Sequence, residues 1–185
     1  TTAVSAAGCR IFIVHARQAV LGGLSPKENR EVPPLRPEVV RRLSAQFPEL
    51  ELILNGGVRT VAEAVEALGW CTGVMLGREA YHRPQVIGDL HRQIFFDGWD
   101  CPGEDALLER MARYAERELA AGVPLAAITR HMLGLYAGQP GARAYRQLLS
   151  IGAREPGAGA QLLRAAAAQF PPSIRDLAVQ GRIHG

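Results

Sequence analysis

Two short apolar runs, each closed by glycine, constrain this chain more than any other feature. Leu50-Glu51-Leu52-Ile53-Leu54 runs into Asn55-Gly56-Gly57, and Gly73-Val74-Met75-Leu76 runs into Gly77-Arg78. Asn55 and Gly77 stand 22 positions apart, which leaves room for one amphipathic helix and the next strand. Two successive strands would then carry bare backbone N–H groups and a guanidinium at the same end of a sheet. Such a cradle suits a phosphate. A Cβ on the glycines would hold the phosphate off the N–H groups, and Arg78 can add a charge-assisted, bidentate contact. One Gly-Gly pair alone is commonly a simple turn, so it is the recurrence one unit apart that points to a phosphorylated ligand.

The rest of the front half repeats the same strand–helix rhythm. Cys9-Arg10-Ile11-Phe12-Ile13-Val14 reads as a strand ending at His15-Ala16-Arg17. A long run with Gly22-Gly23, Pro26 and Pro33-Pro34 follows, and loops of that length are functional or disordered. A helix then starts at Pro37, a residue suited to the first turn, and ends before Pro48. Thr60-Val61-Ala62-Glu63 is a capping box, with Ala64, Val65 and Leu68 expected to face inward and Gly69 to close the helix. A further helix carries Val86, Ile87, Leu90 and Ile94. Near-continuous apolar strands alternating with helices imply parallel strands buried on both faces.

From Asp97-Gly98-Trp99-Asp100-Cys101-Pro102-Gly103 onward only helices are expected, at about 104–121, 124–137, 141–151 and 158–169. Three βα units leave both sheet edges exposed, and an eight-stranded barrel needs roughly 250 residues. With no initiator methionine and an abrupt first strand, the sequence is expected to be the last three βα units of a TIM (β/α)8 barrel followed by an all-α domain. The expected division is a barrel part at 1–100 and a helical domain at 101–185.

Composition narrows the partners. No run approaches the roughly 18 apolar residues that span a bilayer, and no basic-then-apolar leader is present, so a cytoplasmic protein is expected. Cys9, Cys71 and Cys101 are scattered and form no CxxC pair, which argues against a zinc site or a disulfide framework. Lys27 is the only lysine. Residues 1–118 carry a net charge of −2, whereas residues 119–185 carry +5. A basic C-terminal third suggests a polyanion, although a solvated arginine-rich surface gives the same balance.

Candidate contacts follow from position. His15 ends the first strand at the glycine-bearing end, where it could touch a cofactor ring, act as an acid, or simply bond neighbouring backbone. Asn55 could orient a ligand or cap a turn. Ser25-Pro26-Lys27-Glu28-Asn29-Arg30 puts charge on a proline-stiffened loop, and Arg143 and Arg146, at i and i+3, share a helix face.

These segments resemble one family. Phe12-Ile13-Val14-His15-Ala16-Arg17, Gly23-Leu24-Ser25-Pro26-Lys27-Glu28-Asn29-Arg30, Asn55-Gly56-Gly57, Gly77-Arg78-Glu79-Ala80-Tyr81-His82 and Arg130-His131-Met132-Leu133-Gly134-Leu135 look like the tRNA-dihydrouridine synthases of the A branch. The resemblance implies an FMN barrel and a helical tRNA-binding domain, monomeric when full length, that reduces D-loop uridines to 5,6-dihydrouridine after NADPH has reduced the flavin. It implies FMN contacts at His15, Asn55, Gly56, Gly57, Gly77 and Arg78, and tRNA contacts at Lys27, Arg30, Arg143 and Arg146. The family's cysteine acid and flavin-side lysine belong to earlier strands, and none of Cys9, Cys71, Cys101 or Lys27 matches them, so no catalytic residue is assigned. The isolated chain is expected to be inactive. The alternatives are a non-catalytic tRNA-binding module and a generic phosphosugar barrel, the latter leaving the helical part and the charged loop unexplained.

Overall fold

A computed structural model describes residues 1–95, 98–99 and 101–170. Phe96, Asp97 and Asp100 of the expected change of pattern, and the tail 171–185 of the expected helical domain, lie outside the described residues. In chain order the elements are α1 (Thr2–Ala6), β1 (Ile11–His15), α2 (Pro37–Gln46), β2 (Glu51–Asn55), α3 (Val61–Leu68), β3 (Gly73–Met75), α4 (Arg78–His82), α5 (Gln85–Ile94), α6 (Glu104–Ala120), α7 (Leu125–Thr129), α8 (Ala142–Ile151) and α9 (Gln161–Ala167). Single 3-10 turns occupy Glu28–Arg30 and Gly152–Arg154. The chain packs as two units, Thr1–Ala80 and Tyr81–Gly185. The sequence pattern itself changes later, near residue 100.

The first unit is a parallel three-stranded sheet in the order β1-β2-β3. Because the order advances in one direction, right-handed crossovers place both connecting helices on the same face. Pro37 opens α2 at its first turn. The Thr60 side chain accepts from the Glu63 N–H at 3.2 Å, while Glu63 Oε2 accepts from the Thr60 N–H at 3.0 Å, which starts α3. Val40, Leu52, Leu54, Ala64 and Ala67 are buried between these helices and the sheet.

The opposite face differs from expectation. Ile11, Ile13 and His15 align with Glu51, Ile53 and Asn55, and Gly73 and Met75 continue the row. Ile11 is 55% exposed, Ile13 57% and Met75 43%. The strands are thus buried on one face rather than two among the described residues, the result of winding in a single direction. Val65 on α3 is also exposed rather than inward-facing, and Ile87 on α5 is exposed, with the buried stripes running through Ala64–Ala67 and Val86–Leu90. Gly69 ends α3 with a right-handed backbone, not the left-handed form its position suggested.

The second unit closes around Leu108, Leu125, Tyr145, Leu149 and Leu163. The Tyr145 hydroxyl donates to the Met132 carbonyl at 3.1 Å, and Thr129 Oγ1 donates to the Leu149 carbonyl at 3.2 Å. Tyr136 stacks on Phe170 with centroids 3.9 Å apart. The helix expected over 124–137 stops at Thr129 and continues as turns with i→i+3 bonds, such as Met132 N–H to Thr129 O and Leu135 N–H to Met132 O. The apolar period survives, since Ile128, Met132, Leu135 and Tyr136 stay buried. Within these turns Gly134 packs backbone against backbone, since a Cβ there would strike the His82 carbonyl. The alanine-rich helix is likewise shorter than 158–169, spanning Gln161–Ala167.

Candidate functional site

The C-terminal end of the sheet gathers six predicted residues, all in the first unit. His15 and Asn55 are register partners, and the Ala16 N–H donates to the Asn55 carbonyl at 2.7 Å. Gly56 and Gly57 follow with φ of 103° and 91°, a backbone that L side chains rarely adopt. A Cβ on Gly56 would lie 3.1 Å from His15 Cε1 and 3.3 Å from Leu35 Cδ2, so the imidazole lies directly against the glycine. β3 ends beside Asn55, which brings Gly77 and Arg78 to the same end.

The side chains here are uncommitted. His15, Asn55 and Arg78 make no side-chain hydrogen bond or ion pair among the described residues. The alternatives of a backbone-satisfied histidine and a turn-capping asparagine therefore find no partner atoms. The N–H groups of Gly56, Gly57, Gly77 and Arg78 also have no backbone acceptor among the described residues. At Gly77 a Cβ would meet nothing within 4 Å. The space beside it is open, as a ligand approaching the backbone requires. Because α4 is a single turn of five residues, its contribution is local N–H groups and the Arg78 charge rather than a sizeable helix dipole. These groups fit a phosphate.

The long loop after β1 is ordered by its own polar groups. Arg17 pairs with Leu35 in an antiparallel bridge, and its Nη1 donates to the Glu31 carbonyl at 3.1 Å and to the Pro33 carbonyl. Asn29 bonds both backbone groups of Val20 at 2.9 Å, and Ser25 and Glu28 cap each other. Accepting from Ser25 holds the Glu28 carboxyl below its ordinary value. Lys27 and Arg30 take no part in this bracing and remain exposed without acceptors among the described residues. Sequence reasoning missed the bracing roles of Arg17 and Asn29, because the atoms they hold lie nine to sixteen residues away.

In the second unit, Arg143 and Arg146 are exposed on α8, away from the buried Tyr145, and take no partner among the described residues. Arg164 is different: it grips Glu109 through Nε at 2.8 Å and Nη2 at 3.2 Å, and Glu116 at 2.8 Å. One arginine of the basic third is therefore committed to tying α9 to α6.

Neither thiol of the first unit stands at its glycine-bearing end. Cys9 precedes β1 and Cys71 precedes β3, both at the opposite end of the sheet, while Cys101 belongs to the second unit. Cys71 is buried, with Sγ 3.1 Å from the Ala67 carbonyl, and burial pushes its thiol up. Among the described residues no group of three or more His, Cys, Asp or Glu could hold a metal ion, and no helix is long and apolar enough to cross a membrane.

The family model "Dihydrouridine synthase (Dus)" matches residues 1–170. The chain belongs to the dihydrouridine synthase family. A tRNA-dihydrouridine(20/20a) synthase of Pseudomonas aeruginosa is 52% identical over 135 residues, covering 71% of this chain and 40% of the relative. The protein of the same description in Pseudomonas syringae pv. tomato is 50% identical over 129 residues, covering 70% and 38%. That of Escherichia coli K12 is 47% identical over 128 residues, covering 69% and 37%. This dihydrouridine synthase chain thus spans about two fifths of the length of the curated relatives it matches.

Proposed function

We propose that this chain is the C-terminal part of an FMN-dependent tRNA-dihydrouridine synthase, carrying the cofactor's phosphate handle and a tRNA-gripping surface. The observation that carries this reading is the sheet end in a dihydrouridine synthase chain: N–H groups at Gly56, Gly57, Gly77 and Arg78 without an acceptor among the described residues, beside an uncommitted His15. One-directional winding, with helices on one face and Ile11, Ile13 and Met75 open on the other, supports a segment of barrel wall. FMN, reduced by NADPH, would supply hydride for D-loop uridines of tRNA. Gly56, Gly57, Gly77 and Arg78 bind the phosphate, and Asn55 and His15 orient the ring system from the adjoining strand ends. The uracil's proton must come from a residue other than Cys9, Cys71 and Cys101, so the chain by itself is inactive. Lys27, Arg30, Arg143 and Arg146 hold the tRNA backbone, the last two within a helical domain covering 101–185. The full-length protein is a cytoplasmic monomer.

Flavin fluorescence tests the cradle without needing turnover. The chain should bind FMN more tightly than riboflavin, which lacks the phosphate. Arg78→Ala should erase about ten-fold or more of that preference, as expected for a charge-assisted hydrogen bond. Equal affinity for the two flavins would reject the phosphate site, and dihydrouridine formation by this chain with only NADPH and FMN would reject its inactivity.

A second reading, a tRNA-binding module without catalysis, is favoured by the unpaired Arg143 and Arg146 on a unit with its own closed core. It predicts tRNA binding that is indifferent to FMN and to Arg78→Ala.

A further inference from the structure

A cleft of about 340 Å³ opens in the second unit between α7, α8 and the turn Gly152–Arg154. Ala126, Leu133 and the buried Leu149 give it apolar walls, and Ser150, Arg130 and Arg154 are its exposed residues. Its size lies near the lower end of the about 300–1,000 Å³ typical of ligand pockets. No carboxylate lines it. Arg154 has no side-chain acceptor among the described residues, and Arg130 spends only its Nε. Two cations without a counter-charge at an apolar cleft call for an anion with an apolar body.

Arg130 is held in place. Its Nε–H donates to His131 Nε2 at 2.9 Å. A guanidinium is only ever a donor, so Nε2 accepts and the neutral ring carries its proton on Nδ1. Nδ1 lies 3.0 Å from the Tyr81 hydroxyl, which in turn donates to the Arg130 carbonyl at 3.3 Å. Tyr81, His131 and Arg130 close a ring of hydrogen bonds that fixes the guanidinium while neither Nη has an acceptor among the described residues. Along α8, Arg143, Arg146 and Ser150 stand at i, i+3 and i+7, one stripe whose last member, Ser150, lines the cleft. The cleft therefore lies at the end of the exposed arginine stripe.

We propose that Arg130 and Arg154 bind one phosphodiester of an RNA strand, its sugar or base resting on Leu133 and Leu149, with Tyr81 and His131 as positioning residues for Arg130. Planar guanidinium groups suit this role because they bind phosphate bidentately and stack on bases. The proposal rests on the tRNA reading of this unit given above.

The test is the salt dependence of binding between the 185-residue chain and an unmodified tRNA transcript. Arg130→Gln with Arg154→Gln should lower the slope of log K against log salt by about 0.7–0.9, one phosphate contact's worth. Arg130→Lys with Arg154→Lys should restore the slope. An unchanged slope in the glutamine variant, with wild-type binding intact, overturns the cleft site and leaves the Arg143/Arg146 reading standing. No wild-type binding overturns both. Tyr81→Phe keeps every charge, so it should leave the slope alone, weaken binding about two- to five-fold, and do nothing further once Arg130 is glutamine. A Tyr81→Phe loss that persists in the Arg130→Gln background removes the positioning role. Uridine 5′-monophosphate should compete only weakly. Saturable micromolar competition with an unchanged tRNA slope would make the cleft a free-nucleotide site and overturn the proposal.

Discussion

The two units bury their apolar side chains in different ways. In the second, Tyr145, Leu108, Leu149 and Leu163 are completely enclosed, and the buried hydroxyls of Tyr145 and Thr129 each bond a carbonyl of the same core. In the first, one sheet face is as well buried, through Leu52 and Leu54, yet the other leaves Ile11 and Ile13 more than half exposed. Parallel sheets are ordinarily covered on both faces. A helical unit can satisfy its apolar stripe by folding back on itself, whereas a sheet wound in one direction cannot cover its own inner face. That uncovered face ends in His15 and Asn55, so the surface that folding leaves open is the one that leads to the candidate site.

The largest expected effect separates these two kinds of apolar residue. Leu163→Ala should cost about 2–5 kcal/mol, the range for deleting a fully enclosed leucine. Ile13→Ala on the open face should stay within about 0.5 kcal/mol, as surface changes do. Urea unfolding of the two variants measures both. A cost at Ile13 matching that at Leu163 would mean the sheet face is covered in solution, and the contrast between the units would collapse.

The glycines at the sheet end sharpen the comparison within the first unit. Gly56→Ala forces φ near 103° on a residue with a Cβ and presses that Cβ on His15, so a loss of about 1–3 kcal/mol is expected. At Gly77 a Cβ meets nothing and φ is not positive, so Gly77→Ala should leave stability nearly unchanged while weakening FMN. Urea unfolding together with flavin titration distinguishes the two roles. If Gly77→Ala destabilises the chain and leaves flavin affinity intact, its glycine serves the fold rather than a ligand.

What could be read from sequence was local. Thr60 and Glu63 announce the start of α3 because both halves of a capping box lie within four residues, and Pro37 marks the start of α2 for the same reason. That the three strands run parallel followed from strand–helix alternation. The end of α7 at Thr129 was hidden, because the apolar period runs on through Met132, Leu135 and Tyr136, and so was the approach of Gly134 to a carbonyl 52 positions earlier in the chain. The bracing of the loop by Arg17 and the ring joining Tyr81 to His131 were hidden likewise, being contacts between residues 14 to 50 positions apart. At the sheet end, the residue types and their common end of the sheet were legible. That His15 would lie against Gly56 with no partner of its own was not, since it depends on the paths of two chains meeting in space.

The smallest expected effect concerns acid, and it again divides the units. In the second, hydrogen bonds from Arg164 and Arg113 hold the Glu109 carboxyl down to about 2, against an ordinary 4.5. In the first, Glu63 is lowered by accepting from the Arg59 and Thr60 N–H groups. A carboxyl lowered by folding adds stability that is fully present above its unfolded value and is lost as pH falls through its folded one. The Glu109 contribution should therefore fade between about pH 4.5 and 2. Glu109→Gln should flatten that part of the acid limb. Because the pair is exposed, the effect should be small and shrink in high salt. Glu63→Gln should also remove its part of the acid limb but leave stability at neutral pH nearly unchanged, since a glutamine oxygen can still accept from both N–H groups and keep the capping box. Urea midpoints of the two variants from pH 7 to 2, at low and high salt, measure the difference. A Glu109 effect that ignores salt would place the Arg164 clamp within the enclosed core rather than on its surface.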